Sequence, residues 1–311
     1  MTDLRVVDVA PRDGLQNEPV ILPVEGRLEL VRRLYEAGVP QIEVGSFVRS
    51  DRVPQMADTE RVVAQLPAAP SSPRFAALVP NERGYHRAVA CGLRQVRAVV
   101  ATTGEFNRRN LGVDPEETLG EIARMCAHAA GASVTVVATI STAFGCPYEG
   151  RVPPAVVVDI AKRLVGDGCR EVILADTTGM GVPAQVEDVT RRVRDAVPSA
   201  LVGAHMHNTR NTGYANVVAA ISAGATVLDA SLGGIGGCPF APKATGNIAT
   251  EDLVHMLERS GYRTGIDLER LLDAAAWLEG ALGRPLPGLV SKAGPVAAAV
   301  YAASPRRGGD Q

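Results

Sequence analysis

The sequence predicts an α/β protein, a (β/α)8 TIM barrel with additional C-terminal helices covering the barrel. Three observations carry that expectation. Eight short β-branched runs alternate with segments whose apolar residues recur at helical spacing. The repeat length is about 30 residues, the size of a βαβ unit, which implies a parallel sheet. Eight such units in roughly 250 residues match the count and length of a closed barrel. An open doubly wound sheet would show fewer units and a glycine-rich phosphate loop after its first strand, where this chain has "PRDGLQNE".

The strands are expected at "RVVDVA" (5–10), "QIEVG" (41–45), "FAALV" (75–79) and "VRAVVA" (96–101), then at "SVTVVATI" (133–140), "EVILAD" (171–176), "LVGAHMH" (201–207) and "TVLDASL" (226–232). Between them, "GRLELVRRLYEAG", "PAVVVDIAKRLVGDG", "PAQVEDVTRRVRDAV" and "ANVVAAISAG" have helical spacing. Three end in glycine (Gly38, Gly168, Gly224), as a helix C-cap prefers, and two open on proline (Pro154, Pro183), which suits a first helical turn. Beyond residue 250, "ATEDLVHMLERSG" and "DLERLLDAAAWLEGALG" read as helices covering the barrel. Residues 1–303 are thus expected to form one barrel domain with a helical extension, and 304–311, "SPRRGGDQ", a disordered tail.

Bulk composition narrows the function classes. Of 311 residues, 46% are apolar and 21% charged, an ordinary balance for a soluble globular protein. A net charge of −2 carries no signature of nucleic-acid or membrane binding. No apolar run approaches the ~18 residues of a membrane span, and no secretory signal opens the chain. The five cysteines are scattered with no C-x-x-C pair, which points to reduced thiols and a cytoplasmic setting.

In such barrels, functional groups gather at the C-terminal ends of the strands. Strand 1 is expected to end in Arg12-Asp13, strand 2 carries Glu43, strand 6 ends in Asp176, and strand 7 carries His205 and His207. The loop after strand 8, "GGIGGCPFAPKATGN", holds Cys238 and Asn247. Side chains at i and i+2 of a strand share a face, so both imidazoles can reach one point. With Asp13 as carboxylate and Asn247 as amide they make a site for a divalent cation with open positions. The mixed nitrogen and oxygen set suits Mg²⁺, Mn²⁺ or Co²⁺ at least as well as Zn²⁺. The alternative is a pair of core histidines bonded to their neighbours, and the nearby Arg-Asp and Asn weigh against it. Cys238, among glycines that allow close approach and movement, reads as a proton donor or acceptor rather than an incidental small residue. Cys146 reads as structural, and Cys91, Cys126 and Cys169 receive no role. "GMGVPA" (179–184) matches a dinucleotide fingerprint formally, but it follows the sixth strand and contains Pro183, so it reads as a turn.

The motifs "PRDGLQNE" (11–18), "SFV…VPQMAD" (46–58), "AFGCPYEG" (143–150), "ADTTGMG" (175–181) and "GGIGGCPFAPKATGNIATEDLVHML" (233–257) resemble 3-hydroxy-3-methylglutaryl-CoA lyase, within the wider group of TIM-barrel metal-dependent lyases, aldolases and Claisen-condensing enzymes. The resemblance covers residues 5–290. It implies metal ligation by Asp13, His205, His207 and Asn247, with Mg²⁺ or Mn²⁺ as the cation. It implies enolate stabilisation by Arg12, acid catalysis by Cys238, and support from Glu43, Asp176 and His205. Substrate contacts fall to Arg12, Gln16 and Asn110. The implied partner is a small acyl-CoA, in a homodimer as is common in the family, with neither nucleic acid nor membrane. The implied reaction is cleavage of 3-hydroxy-3-methylglutaryl-CoA to acetyl-CoA and acetoacetate. Cys238 speaks against a condensing or 2-oxo-acid aldolase relative, and the intact motifs speak against a barrel that binds without turnover.

Three departures bear on the substrate. The family's H-D-T is here His207-Asn208-Thr209, so the carboxylate that could orient the metal site electrostatically is expected to be missing. Pro19 replaces the lysine common after "LQNE", and Ser50-Asp51-Arg52 replaces S-P-K-W before "VPQM". A lyase for a relative with a different group at C3, such as citramalyl-CoA, is the alternative that these changes raise.

Overall fold

The computed structural model describes residues 3–67, 74–237 and 246–296. Eight strands close into a parallel barrel in sequence order: β1 (Arg5–Asp8), β2 (Gln41–Ser46), β3 (Arg74–Leu78), β4 (Gln95–Ala101), β5 (Thr135–Ser141), β6 (Glu171–Asp176), β7 (Leu201–Met206) and β8 (Val227–Ala230), with β8 pairing back onto β1. The outer layer comprises α1 (Val24–Glu36), the short α2 (Thr59–Val63), α3 (Glu82–Ala90), α4 (Gly104–Leu111), α5 (Pro115–Ala132), α6 (Pro154–Gly166), α7 (Pro183–Ala196), α8 (Gly213–Ser222) and α9 (Thr250–Arg259). After them come α10 (Leu268–Leu282) and α11 (Val290–Ala293).

The strands are buried on both faces, which is why their sequences are near-continuous apolar runs rather than alternating ones. Outward-facing residues pack under the helices in the main core, with Ile42, Val96, Val172 and Leu228 fully buried there. Inside the barrel a separate apolar cluster of Val7, Val9, Val137, Ile173 and Val227 plugs the lower part. Gly203 belongs to this level. A Cβ there would stand 2.5 Å from Ile173 Cδ1 and 2.8 Å from the Val227 carbonyl oxygen, so the missing side chain is what lets β7 pass this packed layer.

Two expectations change. The helix at "ATEDLVHMLERSG" is α9, which follows β8 and completes the eighth β/α unit, so it belongs to the barrel itself. The extension beyond it is α10 and α11. α10 lies against α1 and α9, tied by Asp267 N–H to the Ala37 carbonyl (2.8 Å) and by Arg270 to the Glu36 carbonyl (3.1 Å). The second change is at the end of strand 1. β1 stops at Asp8, and Ala10–Gly14 form one turn of π-helix. Asp8 nucleates it by accepting from Ala10 N–H (2.8 Å), while Gly14 N–H closes onto the Val9 carbonyl (3.1 Å). Only glycine fits at position 14, because a Cβ would lie 2.7 Å from Ile235 Cγ1 and 2.8 Å from Ser231 Oγ. The turn swings Arg12 and Asp13 over the barrel mouth, a common use of a π-turn. Among the described residues no helix is long and apolar enough to cross a membrane.

Candidate active site

Above the apolar plug, the barrel interior becomes charged. Glu43 from β2, Arg97 from β4, His205 from β7 and Asp229 from β8 are all buried there, together with His207 just past β7. Register explains part of the gathering. Asp229 pairs with His205, and His205 with Ala175, so neighbouring strands present these residues at one level. The chain after β7 then pairs with the segment before α9. A bridge joins His207 to Asn247, Asn208 N–H donates to the Gly246 carbonyl (2.9 Å), and Ile248 N–H to the Met206 carbonyl (3.2 Å). That pairing carries Asn247 to the histidines.

Asp13, His205 and His207 bring ligand atoms within 4.8 Å of one another. The two Nε2 atoms face each other at 3.1 Å, and Asp13 Oδ2 lies 3.9 Å from His205 Nε2. Asn247 donates its amide to Asp13 Oδ2 (2.8 Å) and to the Ile235 carbonyl (3.1 Å), so here it steadies the carboxylate. Burial and the neighbouring His205 push the His207 pKa down to about 3, leaving a neutral ring. Its Nδ1 has no hydrogen-bond partner among the described residues. Burial alone would raise the pKa of Asp13, but the charge of Arg12 and the hydrogen bond from Asn247 work against it, and the pKa is lowered to about 2. Two converging imidazole nitrogens with one ionised carboxylate fit a divalent cation, in the manner of sites that leave positions open for substrate.

Arg12 spans two carboxylates, Asp13 Oδ1 at 2.6 Å and Glu43 Oε2 at 2.9 Å. Burial disfavours its charge, yet Glu43 and Asp13 together raise its pKa and keep it cationic. A rigid guanidinium is thereby held beside the cation site. Asp176, expected among the catalytic groups, is buried at the end of β6, where its oxygens accept Met180 N–H (2.8 Å) and Gly181 N–H (3.0 Å) and burial raises its pKa. It fixes the turn "TTGMG", which confirms the turn reading of "GMGVPA". Cys146 is buried, with Thr103 Oγ1 donating to its Sγ at 3.1 Å. Gln16 and Asn110 line the same mouth cavity as Arg12, Asp13, His205 and His207. Cys238 lies outside the described residues. The preceding Gly237 lines the mouth, and its carbonyl accepts from Asn17.

Two residues were missed by sequence reasoning. Asp229 accepts from His205 Nδ1 (3.2 Å) and pairs with Arg97 (2.5 Å) through the same oxygen, Oδ2. Burial would raise its pKa, but Arg97 and His205 lower it below the usual carboxylate range. This overturns the expectation that replacing aspartate by Asn208 leaves the metal histidines without an orienting carboxylate. Asn208 instead accepts from Gly213 N–H (3.1 Å) at the start of α8. The available signal was a single charge inside each of two otherwise apolar runs, Arg97 in "VRAVVA" and Asp229 in "TVLDASL".

Residues 3–278 match the family model described as HMGL-like. The chain belongs to the HMGL-like family. It is 50% identical to the (R)-citramalyl-CoA lyase of Chloroflexus aurantiacus, over 98% of this chain and 99% of that protein. It is 41% identical to the mitochondrial hydroxymethylglutaryl-CoA lyase of Mus musculus, over 93% of this chain and 89% of that protein. Among solved structures, an HMG-CoA lyase from Acinetobacter baumannii in complex with coenzyme A and 3-methylmalate superposes with a TM-score of 0.89 at 36% identity, covering 94% of this chain and 95% of that one. The HMGL-like assignment agrees with the resemblance carried by the motifs, and the relatives named here are carbon–carbon lyases.

Proposed function

We propose that this protein is a divalent-metal-dependent lyase that cleaves a 3-hydroxy-3-methylacyl-CoA between C2 and C3, with citramalyl-CoA as its substrate and acetyl-CoA and pyruvate as products. The observation that carries the lyase reading is Arg12, fixed between Asp13 and Glu43 at 2.6 and 2.9 Å, beside the convergent histidines. The preference for citramalyl-CoA over 3-hydroxy-3-methylglutaryl-CoA rests on the 50% identity to a citramalyl-CoA lyase, against 41% to a hydroxymethylglutaryl-CoA lyase.

Asp13, His205 and His207 would hold the cation, with Asn247 against Asp13. A cation bound there supplies Lewis-acid charge that makes the substrate hydroxyl more acidic and polarises a neighbouring oxygen. The hydroxyl proton passes to a base at the mouth, and the C2–C3 bonding pair moves to C2. The resulting thioester enolate carries its negative charge on oxygen, where the guanidinium of Arg12 stabilises it. Cys238 then donates the thiol proton to C2, releasing acetyl-CoA. Gln16 and Asn110 contact the substrate at the rim.

The two candidate substrates differ by one methylene in the carboxylate arm, a difference that pockets discriminate by about 10–200-fold. The test follows acetyl-CoA release from each with Mg²⁺ or Mn²⁺ present. A higher kcat/KM for (R)-citramalyl-CoA supports the assignment. Equal or better cleavage of 3-hydroxy-3-methylglutaryl-CoA overturns the substrate, and release from neither overturns the reaction.

A further inference from the structure

The five histidines are Nos. 86, 128, 205, 207 and 255, and four of them fall into two clusters. One is the mouth site. The other joins the outer helices α3 and α5. We propose that Glu82, His86 and His128 form a second metal site, which takes a late first-row divalent cation such as Zn²⁺ and bridges the two helices.

The geometry supports this with three ligand atoms within 4.8 Å of one another. His86 Nε2 lies 3.7 Å from Glu82 Oε1, and His128 Nε2 lies 3.6 Å from the same oxygen. Ligands about 2.0–2.1 Å from a tetrahedral zinc ion stand about 3.3 Å from one another. The two Glu82–histidine distances therefore need to close by only a few tenths of an ångström. Glu82 and His86 share a face of α3 at i and i+4, while His128 reaches them from α5. The two imidazole rings meet edge to face with centroids 4.8 Å apart. Both histidines are more than half exposed, so a cation from solvent reaches them without any opening of the fold.

The other Glu82 oxygen, Oε2, accepts from Arg124 Nε at 3.0 Å, which leaves Oε1 turned to the imidazoles and orients the carboxylate as an outer-shell partner would. The hydrogen bond from Arg124 also holds the Glu82 carboxyl below its usual range, so it stays ionised. The charge of Arg124 opposes a cation, but Glu121 Oε1 at 3.1 Å from its guanidinium offsets that. Two imidazoles and a carboxylate favour zinc, nickel or copper over magnesium, and the open positions face water.

The experiment is a Zn²⁺ titration of the full-length protein by calorimetry, counting equivalents bound by the wild type, His86→Ala and His128→Ala. Each variant is expected to bind one equivalent fewer than the wild type, with Mg²⁺-supported turnover unchanged. The same number of equivalents in all three overturns the site. Surface placement of both histidines keeps the variants folded, and a circular dichroism melt without metal verifies it. As a second readout, Zn²⁺ raises the melting temperature less in His128→Ala than in the wild type if the ion joins α3 to α5. An equal rise in both overturns the bridge.

Discussion

Replacing Asp229 by asparagine separates the two roles its Oδ2 plays. That oxygen pairs with Arg97 at 2.5 Å and meets His205 Nδ1 at 3.2 Å, with all three side chains buried. Asp229→Asn leaves the Arg97 guanidinium in the barrel interior with its nearest counter-charge gone, and breaking such a buried pair costs about 3–5 kcal/mol. Glu43 still acts electrostatically on Arg97, so the lower end, about 3 kcal/mol, is expected. At about 2 °C per kcal/mol for a chain of this size, the melting temperature falls by about 6 °C. The carboxylate also keeps the proton of His205 on Nδ1 and leaves Nε2 free to face His207 and Asp13. Its loss is expected to weaken Mn²⁺ binding about 10–100-fold. Calorimetric titration with Mn²⁺ and thermal melts read the two effects separately. The double variant Arg97→Met/Asp229→Asn removes the stranded charge, so it should regain stability while still binding Mn²⁺ weakly. Mn²⁺ affinity within twofold of wild type in Asp229→Asn would refute the orienting role. Recovery of affinity along with stability in the double variant would assign the whole effect to the fold.

Three further outcomes are expected. Arg12→Gln should lower kcat by about 10²–10³, with KM changed far less, because the guanidinium acts on charge that develops at the enolate oxygen; a loss under tenfold in steady-state kinetics would count against it. Gly203→Ala forces a Cβ to within 2.5 Å of Ile173 Cδ1, so overpacking of about 1–3 kcal/mol should appear in chemical denaturation; an unchanged midpoint would show that the lower barrel layer yields. Burial raises the pKa of Glu251 to about 7, and that of Asp8 beside the same post-β8 turn also to about 7. Both groups hold more protons folded than unfolded. Their contribution is therefore full below the ordinary carboxylate range and is lost as pH rises through about 7, at up to about 1.4 kcal/mol per pH unit for each. Glu251→Gln cannot ionise and should flatten the fall in melting temperature between about pH 5 and about pH 8; parallel curves for variant and wild type would contradict this.

The sequence by itself determined the barrel, its strands to within a few residues, and most of the mouth. Count and period suffice for the barrel, because eight parallel units have few ways to bury both faces of a sheet. The H-x-H pair was legible because strand alternation is a local rule: residues two apart point the same way whatever the rest of the chain does. What alternation cannot supply is which strand's residue meets which, since that depends on the stagger of a closed barrel. Only the tertiary structure matched Asp229 to His205 and Arg97 to Asp229. Only the tertiary structure turned Arg12 and Asp13 inward on a π-turn rather than leaving them at the end of β1. Asn208 shows the same limit from the other side. Judged by sequence position, its side chain marks a carboxylate lost beside the metal histidines. In three dimensions a carboxylate from the next strand stands against His205, because residues paired across a parallel register point to the same face, whereas the Asn208 side chain beyond the strand turns to Gly213.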